Sequence, residues 1–96
     1  MRCCAAGAVA ALALATAATA AAAPPITCGR ISHGGARYVV KSHASSCPFA
    51  TRSLRSFMAD RTSPPLFRCR RYGPNIPAYC IGSGKYSKRY FFATKA

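Results

Sequence analysis

Acid is what this sequence lacks. Its 96 residues hold a single carboxylate side chain, Asp60, against 14 Lys and Arg. Glycosidases of the usual kind need two carboxyl groups working as a pair, so that chemistry is excluded by count. A Ser-His-Asp arrangement would have to use Asp60 to orient His33 or His43. None of the serines lies in the strand-turn-helix context of a nucleophile elbow. Paired metal ligands are missing as well. There is no Cys-x-x-Cys and no His-x-x-x-His, whereas tight zinc sites usually draw two ligands from one turn. The nearest approach is His43, four residues before Cys47. No metal, cofactor or small-molecule ligand is implied. Repeats are absent too.

Strongly hydrophobic residues are scarce where a membrane anchor would need them. Met1-Arg2 is followed by an uncharged stretch, Cys3 to Ala23, but only Val9, Leu12 and Leu14 in it are strongly apolar. A spanning helix uses about 20 predominantly apolar residues. A short positive start, a short apolar block and small residues near the end are the layout of a cleavable signal peptide. The expected organisation is therefore a signal peptide over residues 1–22 and one small secreted domain over 23–96. Removing residues 1–22 leaves 13 Lys and Arg against Asp60, a formal charge of +12.

Four cysteines remain in that domain: Cys28, Cys47, Cys69 and Cys80. An even number in a short exported chain reads as two disulfides. A core this small supplies only about 3–5 kcal/mol, so staples of about 3 kcal/mol each matter. Three connectivities are open. Cys69 and Cys80 flank a turn-rich loop, Gly73 to Pro77, and would face each other if their strands pair. This favours Cys69–Cys80 with Cys28–Cys47. The rival, Cys47–Cys69 with Cys28–Cys80, would join helix to sheet.

The order of elements follows from periodicity. Ala23 to Thr27 reads as a proline-led tail and Gly34-Gly35 as a turn. Ala36 to Lys41 is a strand by its β-branched and aromatic content. Ser45-Ser46 before Cys47-Pro48 offers an N-cap hydroxyl followed by a proline in the first turn. Cys47, Ala50, Leu54, Phe57 and Met58 then share one helical face, with Arg52, Ser53, Ser56 and Asp60 largely on the others. The helix should stop near Arg61, before Pro64-Pro65. Leu66 to Tyr72, Ala78 to Ile81 and Tyr86 to Ala93 are predicted strands. The fold class is α+β: one helix on a small antiparallel sheet in the order β-α-β-β-β, stapled by two disulfides.

Tyr38-Val39-Val40, the helix opening Ser46-Cys47-Pro48-Phe49-Ala50, Phe67-Arg68-Cys69 and Tyr79-Cys80-Ile81 together resemble a loose group of small secreted proteins of high-GC Gram-positive, actinobacterial type. The resemblance spans most of residues 23–96 through short motifs. It implies an α+β fold and an extracellular location. That group has no established activity, so no functional residue carries over.

Charge is what the chain has in excess. Arg68, Arg70 and Arg71 are expected to cluster on one strand, Arg52 and Arg55 to share the helix exterior, and Lys85, Lys88, Arg89 and Lys95 to fill the C-terminal strand. Tyr72, Tyr79, Tyr86 and Tyr90 are interleaved with them. Such density attracts polyanions through long-range fields and counterion release, and rings among cations suit stacking on bases or sugars. The plainer explanation is solubility of a small exported protein. Non-enzymatic binding of anionic envelope polymers or a membrane surface is the leading expectation, with Arg68, Arg70, Arg71, Arg52, Arg55, Lys88 and Arg89 as contacts. Nucleic acid is a further polyanion of the right chemistry. The enzymatic alternative is a secreted ribonuclease, with His33 and His43 as acid and base and Lys41 or Arg37 steadying the transition state. A third reading is a secreted inhibitor or antimicrobial effector presenting Ser63-Pro64-Pro65 or the Gly73 to Pro77 loop.

Overall fold

The computed structural model describes residues 23–96. The signal peptide expected over residues 1–22 lies outside the described residues. Strand β1 (Ile26–His33) turns into β2 (Ala36–His43) through Gly34-Gly35. Both glycines have positive φ, 59° and 82°. A two-residue hairpin turn with this geometry matches the right-handed twist of its strands, and glycine enters it without a Cβ clash. Helix α1 (Cys47–Asp60) follows, then β3 (Phe67–Arg70), β4 (Ala78–Gly82), a 3-10 turn (Gly84–Tyr86) and β5 (Tyr90–Lys95).

The five strands form one antiparallel sheet in the order β1-β2-β5-β4-β3. The chain leaves β2 in mid-sheet, crosses one face as α1, enters the far edge as β3 and returns as a meander. That return places β5 beside β2 and closes the sheet. The α+β class is as expected, with one strand more. The stretch from Ile26 to His33, read as a tail and an unassigned link, is an edge strand. Its signal is weak because Ile26 and Ile31 are its only aliphatic residues and the register shifts between Thr27 and Gly29. A bulge there breaks the period-2 alternation that marks a strand.

The helix begins as its sequence requires. Ser46 Oγ accepts a hydrogen bond from the Phe49 N–H at 3.3 Å, and Pro48 sits in the first turn. It ends at Arg61 in the left-handed region (φ 65°), whose N–H donates to the Phe57 carbonyl. Ala50, Leu54 and Phe57 are buried against Ile31, Val40, Ala78, Cys80, Phe91 and Ala93. Ser53, assigned to the exterior, is also buried. It lies one position from Leu54, so a wide buried stripe takes it in.

Both disulfides sit on the helix side. Cys28–Cys47 ties β1 to the start of α1, with Cα atoms 5.3 Å apart. Cys69–Cys80 joins directly opposed residues of β3 and β4, with Cα atoms 3.9 Å apart. The favoured pairing is the one observed.

The strand predicted over Tyr86 to Ala93 is shifted: β5 runs Tyr90–Lys95. Gly82 explains the shift. A Cβ there would collide with the Tyr86 carbonyl, and the chain folds back through Tyr86 N–H to Ser83 O (3.0 Å), Arg89 N–H to Tyr86 O and Gly82 N–H to Arg89 O (both 2.9 Å). Lys85, Lys88 and Arg89 therefore lie in a turn, and only Lys95 of that set is on the strand. Arg71 follows the end of β3 rather than sharing it.

Candidate functional site

Successive side chains of a strand point to opposite faces. In β2, β4 and β5 this sends Val40, Ser42, Ala78, Cys80, Phe91 and Ala93 toward the helix. The residues between them point the other way. Among the described residues, no helix or strand packs on that second face.

The register arranges its side chains in rows. One row runs His43–Tyr90–Ile81–Arg68 across β2, β5, β4 and β3. The next runs Lys41–Phe92–Tyr79–Arg70. Each row ends on an exposed arginine of the β3 edge. The rings make a continuous patch. His43 and Tyr90 lie near-parallel with centroids 5.1 Å apart; Tyr79 lies 5.9 Å from Tyr90 and 5.1 Å from Phe92, at 9° and 4°. Tyr72 meets Tyr79 edge-on at 5.5 Å. These distances fall in the range of attractive aromatic pairs, each contributing about 0.5–1.5 kcal/mol.

The Tyr79 hydroxyl is held above the ordinary tyrosine value, first by burial and then by the neighbouring Tyr90 and Tyr72 hydroxyls. Beside the rings stand Lys41, across from Phe92, and Arg70, across from Tyr79, with Arg68 across from Ile81. The chain's only acid is elsewhere: Asp60 ends the helix, where its Oδ1 accepts from the Thr62 N–H at 3.1 Å. The face is thus aromatic in the middle, with Lys41 on one side and Arg68 and Arg70 on the other.

The expected contact residues divide among several places. Arg68 and Arg70 are on the helix-free face. Arg52 and Arg55 are on the helix, and Arg52 lies 5.9 Å over the Phe49 ring. Arg89 lies 4.6 Å over the Tyr86 ring, with Lys85 at 5.3 Å from the same ring; Lys88 lies in that turn. Arg71 is near Arg61, His33 and Tyr38 around a cleft of about 160 Å³ at the opposite end of the molecule. No single surface collects all seven.

The two histidines are not brought together. His33 ends β1 beside Ala36, the first residue of β2, whereas His43 ends β2. Seven strand residues separate those levels, roughly 23 Å at 3.3 Å per residue. An acid–base pair must reach one phosphate within hydrogen-bond distance. Lys41 shares a face with His43 but lies beside Phe92. His33 and His43 therefore do not form an acid–base pair in this structure. Among the described residues, no three His, Cys, Asp or Glu side chains converge.

The chain matches no protein family, no curated protein and no solved structure.

Sequence reasoning took Tyr72, Tyr79 and Tyr90 as partners of the cations but missed Phe92 and His43. It also included Tyr86, which does lie under Lys85 and Arg89 but away from this face, stacked on buried Phe67 at 5.6 Å. The signal was present as phase. Tyr90 and Phe92 alternate with Phe91 and Ala93, so an all-aromatic run hides two faces until the register is known.

Proposed function

We propose that this chain is an exported, non-enzymatic binding domain that holds anionic polymers of the cell envelope, or an anionic membrane surface, on the helix-free face of its sheet. The observation that carries the reading is the placement of exposed Arg68 and Arg70 at the ends of two aromatic rows, on a face without any acid. Each phosphate or carboxylate engaged there releases condensed counterions, which makes binding strong at low salt and weak at high salt. Two features support export. Two disulfides among the described residues fit an oxidising compartment. Residues 1–22 also have the composition of a signal peptide. No helix among the described residues is long and apolar enough to cross a membrane.

The test is a salt titration of the purified, oxidised protein against anionic wall polymer and anionic vesicles. Tight binding that collapses as salt rises is expected, with most of the loss reproduced by Arg68→Ala/Arg70→Ala. Unchanged affinity in that double variant would remove the contact assignment. Weak binding to every polyanion at low salt would leave the charge as a solubility device alone.

A further inference from the structure

Positive charge explains attraction to any polyanion. It does not explain why five rings are gathered on the face that the helix leaves open. A sheet surface in water gains nothing from exposing aromatic carbon, yet His43, Tyr90, Tyr79 and Phe92 remain half-buried there and Tyr72 is 53% exposed. We infer that this ladder of near-parallel rings is a stacking platform for single-stranded nucleic acid, with Lys41 on one side and Arg68 and Arg70 on the other engaging its phosphates. The inference rests on the reading of this face as a polyanion-binding surface and goes beyond it by adding a ligand that is not part of the envelope.

Three physical points select the ligand. First, the order across the sheet is cation, ring, ring, cation: Lys41, Phe92, Tyr79, Arg70. Lys41 and Arg70 stand three strand spacings apart, about 14 Å. A strand laid over the rings can set its backbone against one border while its bases reach the centre. A polyol phosphate or an inorganic polyphosphate supplies the charges but has no π-face for the rings. Second, every base has such a face, and stacking on aromatic side chains contributes about 1–3 kcal/mol per base. A duplex keeps its bases stacked on one another and out of reach, so the single strand is preferred. Third, a lipid surface is a poorer match. Interfacial binding needs apolar groups that project into the acyl boundary. Here the rings lean on one another in a flat sheet, and Ile81, 43% exposed, is the only aliphatic residue of the patch so open. A second copy of the chain is disfavoured by charge, since two faces of the same sign repel.

The chain contains no tryptophan, so its emission comes from tyrosine, and three of its five tyrosines are in the patch. The experiment uses the purified, oxidised protein and three probes: a labelled oligothymidylate of about ten nucleotides, the corresponding duplex, and inorganic polyphosphate. Binding is read by anisotropy and by quenching of tyrosine emission. The single strand should bind more tightly than either other probe and should alone quench the tyrosines. Tyr79→Leu and Tyr90→Leu keep apolar bulk but remove the ring. Each should weaken oligothymidylate binding about 5- to 100-fold while leaving polyphosphate binding unchanged. Tyr79→Phe and Tyr90→Phe should restore the affinity.

Equal affinity for polyphosphate and oligothymidylate, or leucine variants that bind the oligonucleotide normally, would overturn the stacking platform and leave the general polyanion reading standing. Preference for the duplex would overturn it as well. Absence of salt-sensitive binding to all three probes would remove both readings together.

Discussion

The two faces of the sheet are built from the same strands and contain similar rings, yet they do opposite things. Toward the helix, Phe91 is fully buried and meets Phe49 and Phe67 at centroid distances of 5.7 and 5.2 Å. Both disulfides are on that side. Away from the helix, the rings are mostly tyrosines, whose hydroxyls suit a wet surface, and cations border them. Neighbouring residues of one strand, Phe91 and Phe92, thus belong to different tasks. One is in the core, and the other is half-buried on the face the helix leaves uncovered. In so small a domain, the aromatic area left open is area withheld from the core.

This contrast can be broken most sharply at β5. Phe91→Ala should destabilise by about 3–5 kcal/mol, as much as a core of this size supplies, and the oxidised protein should lose its cooperative unfolding transition. Phe92→Ala, one residue on, should keep that transition while losing oligonucleotide affinity. Equal destabilisation by the two would mean that the open face is structural. Next in size is the staple of the covered face. Replacing Cys28 and Cys47 together by Ala frees a linkage between residues 19 apart and should lower stability by about 3 kcal/mol, read as a shift in the denaturant midpoint. Salt dependence of polyanion binding should be untouched in whatever fraction remains folded.

Smaller effects sharpen the outer face. Arg68→Ala/Arg70→Ala should change stability little, because both side chains are exposed. The slope of log affinity against log salt for a single strand should fall by about 1.4, at roughly 0.7 per phosphate contact. Arg52→Ala/Arg55→Ala on the helix should leave that slope as it was. The smallest effect concerns alkali. Burial and the neighbouring tyrosines raise the Tyr79 hydroxyl above its ordinary value. The folded protein therefore keeps this proton after the unfolded chain has lost it. The resulting stability is complete below about pH 10 and is lost as pH rises through the folded value. Tyr79→Phe should flatten the decline of the denaturant midpoint above about pH 10; a decline of the same steepness would mean that other tyrosines carry it.

Local chemistry made much of the fold legible. Ser46, Pro48 and the spacing of Ala50, Leu54 and Phe57 specify the helix, because capping and amphipathic period act within a few residues. The Cys69–Cys80 staple was foreseeable for the same reason, since a hairpin brings its own flanks together. Strand β1 was not legible: its pairing with β2 is satisfied by backbone bonds, and its side chains carry little pattern. Nor was the position of β5, which depends on the close approach of Gly82 to Tyr86.

The sequence by itself determined the sign of this protein's charge. A single acid among so many cations sets the sign of its field wherever the side chains fall, because net charge does not depend on the fold. It also determined the helix and the scarcity of carboxylate chemistry. Only the tertiary structure decided which cations act together and which rings are open. Those properties come from the register of strands distant in the chain: β5 lies between β2 and β4, and so sets Phe92 between Lys41 and Tyr79. One residue of slip would send every one of these side chains to the other face. The pairing that buries Phe91 is therefore the same pairing that exposes the ladder.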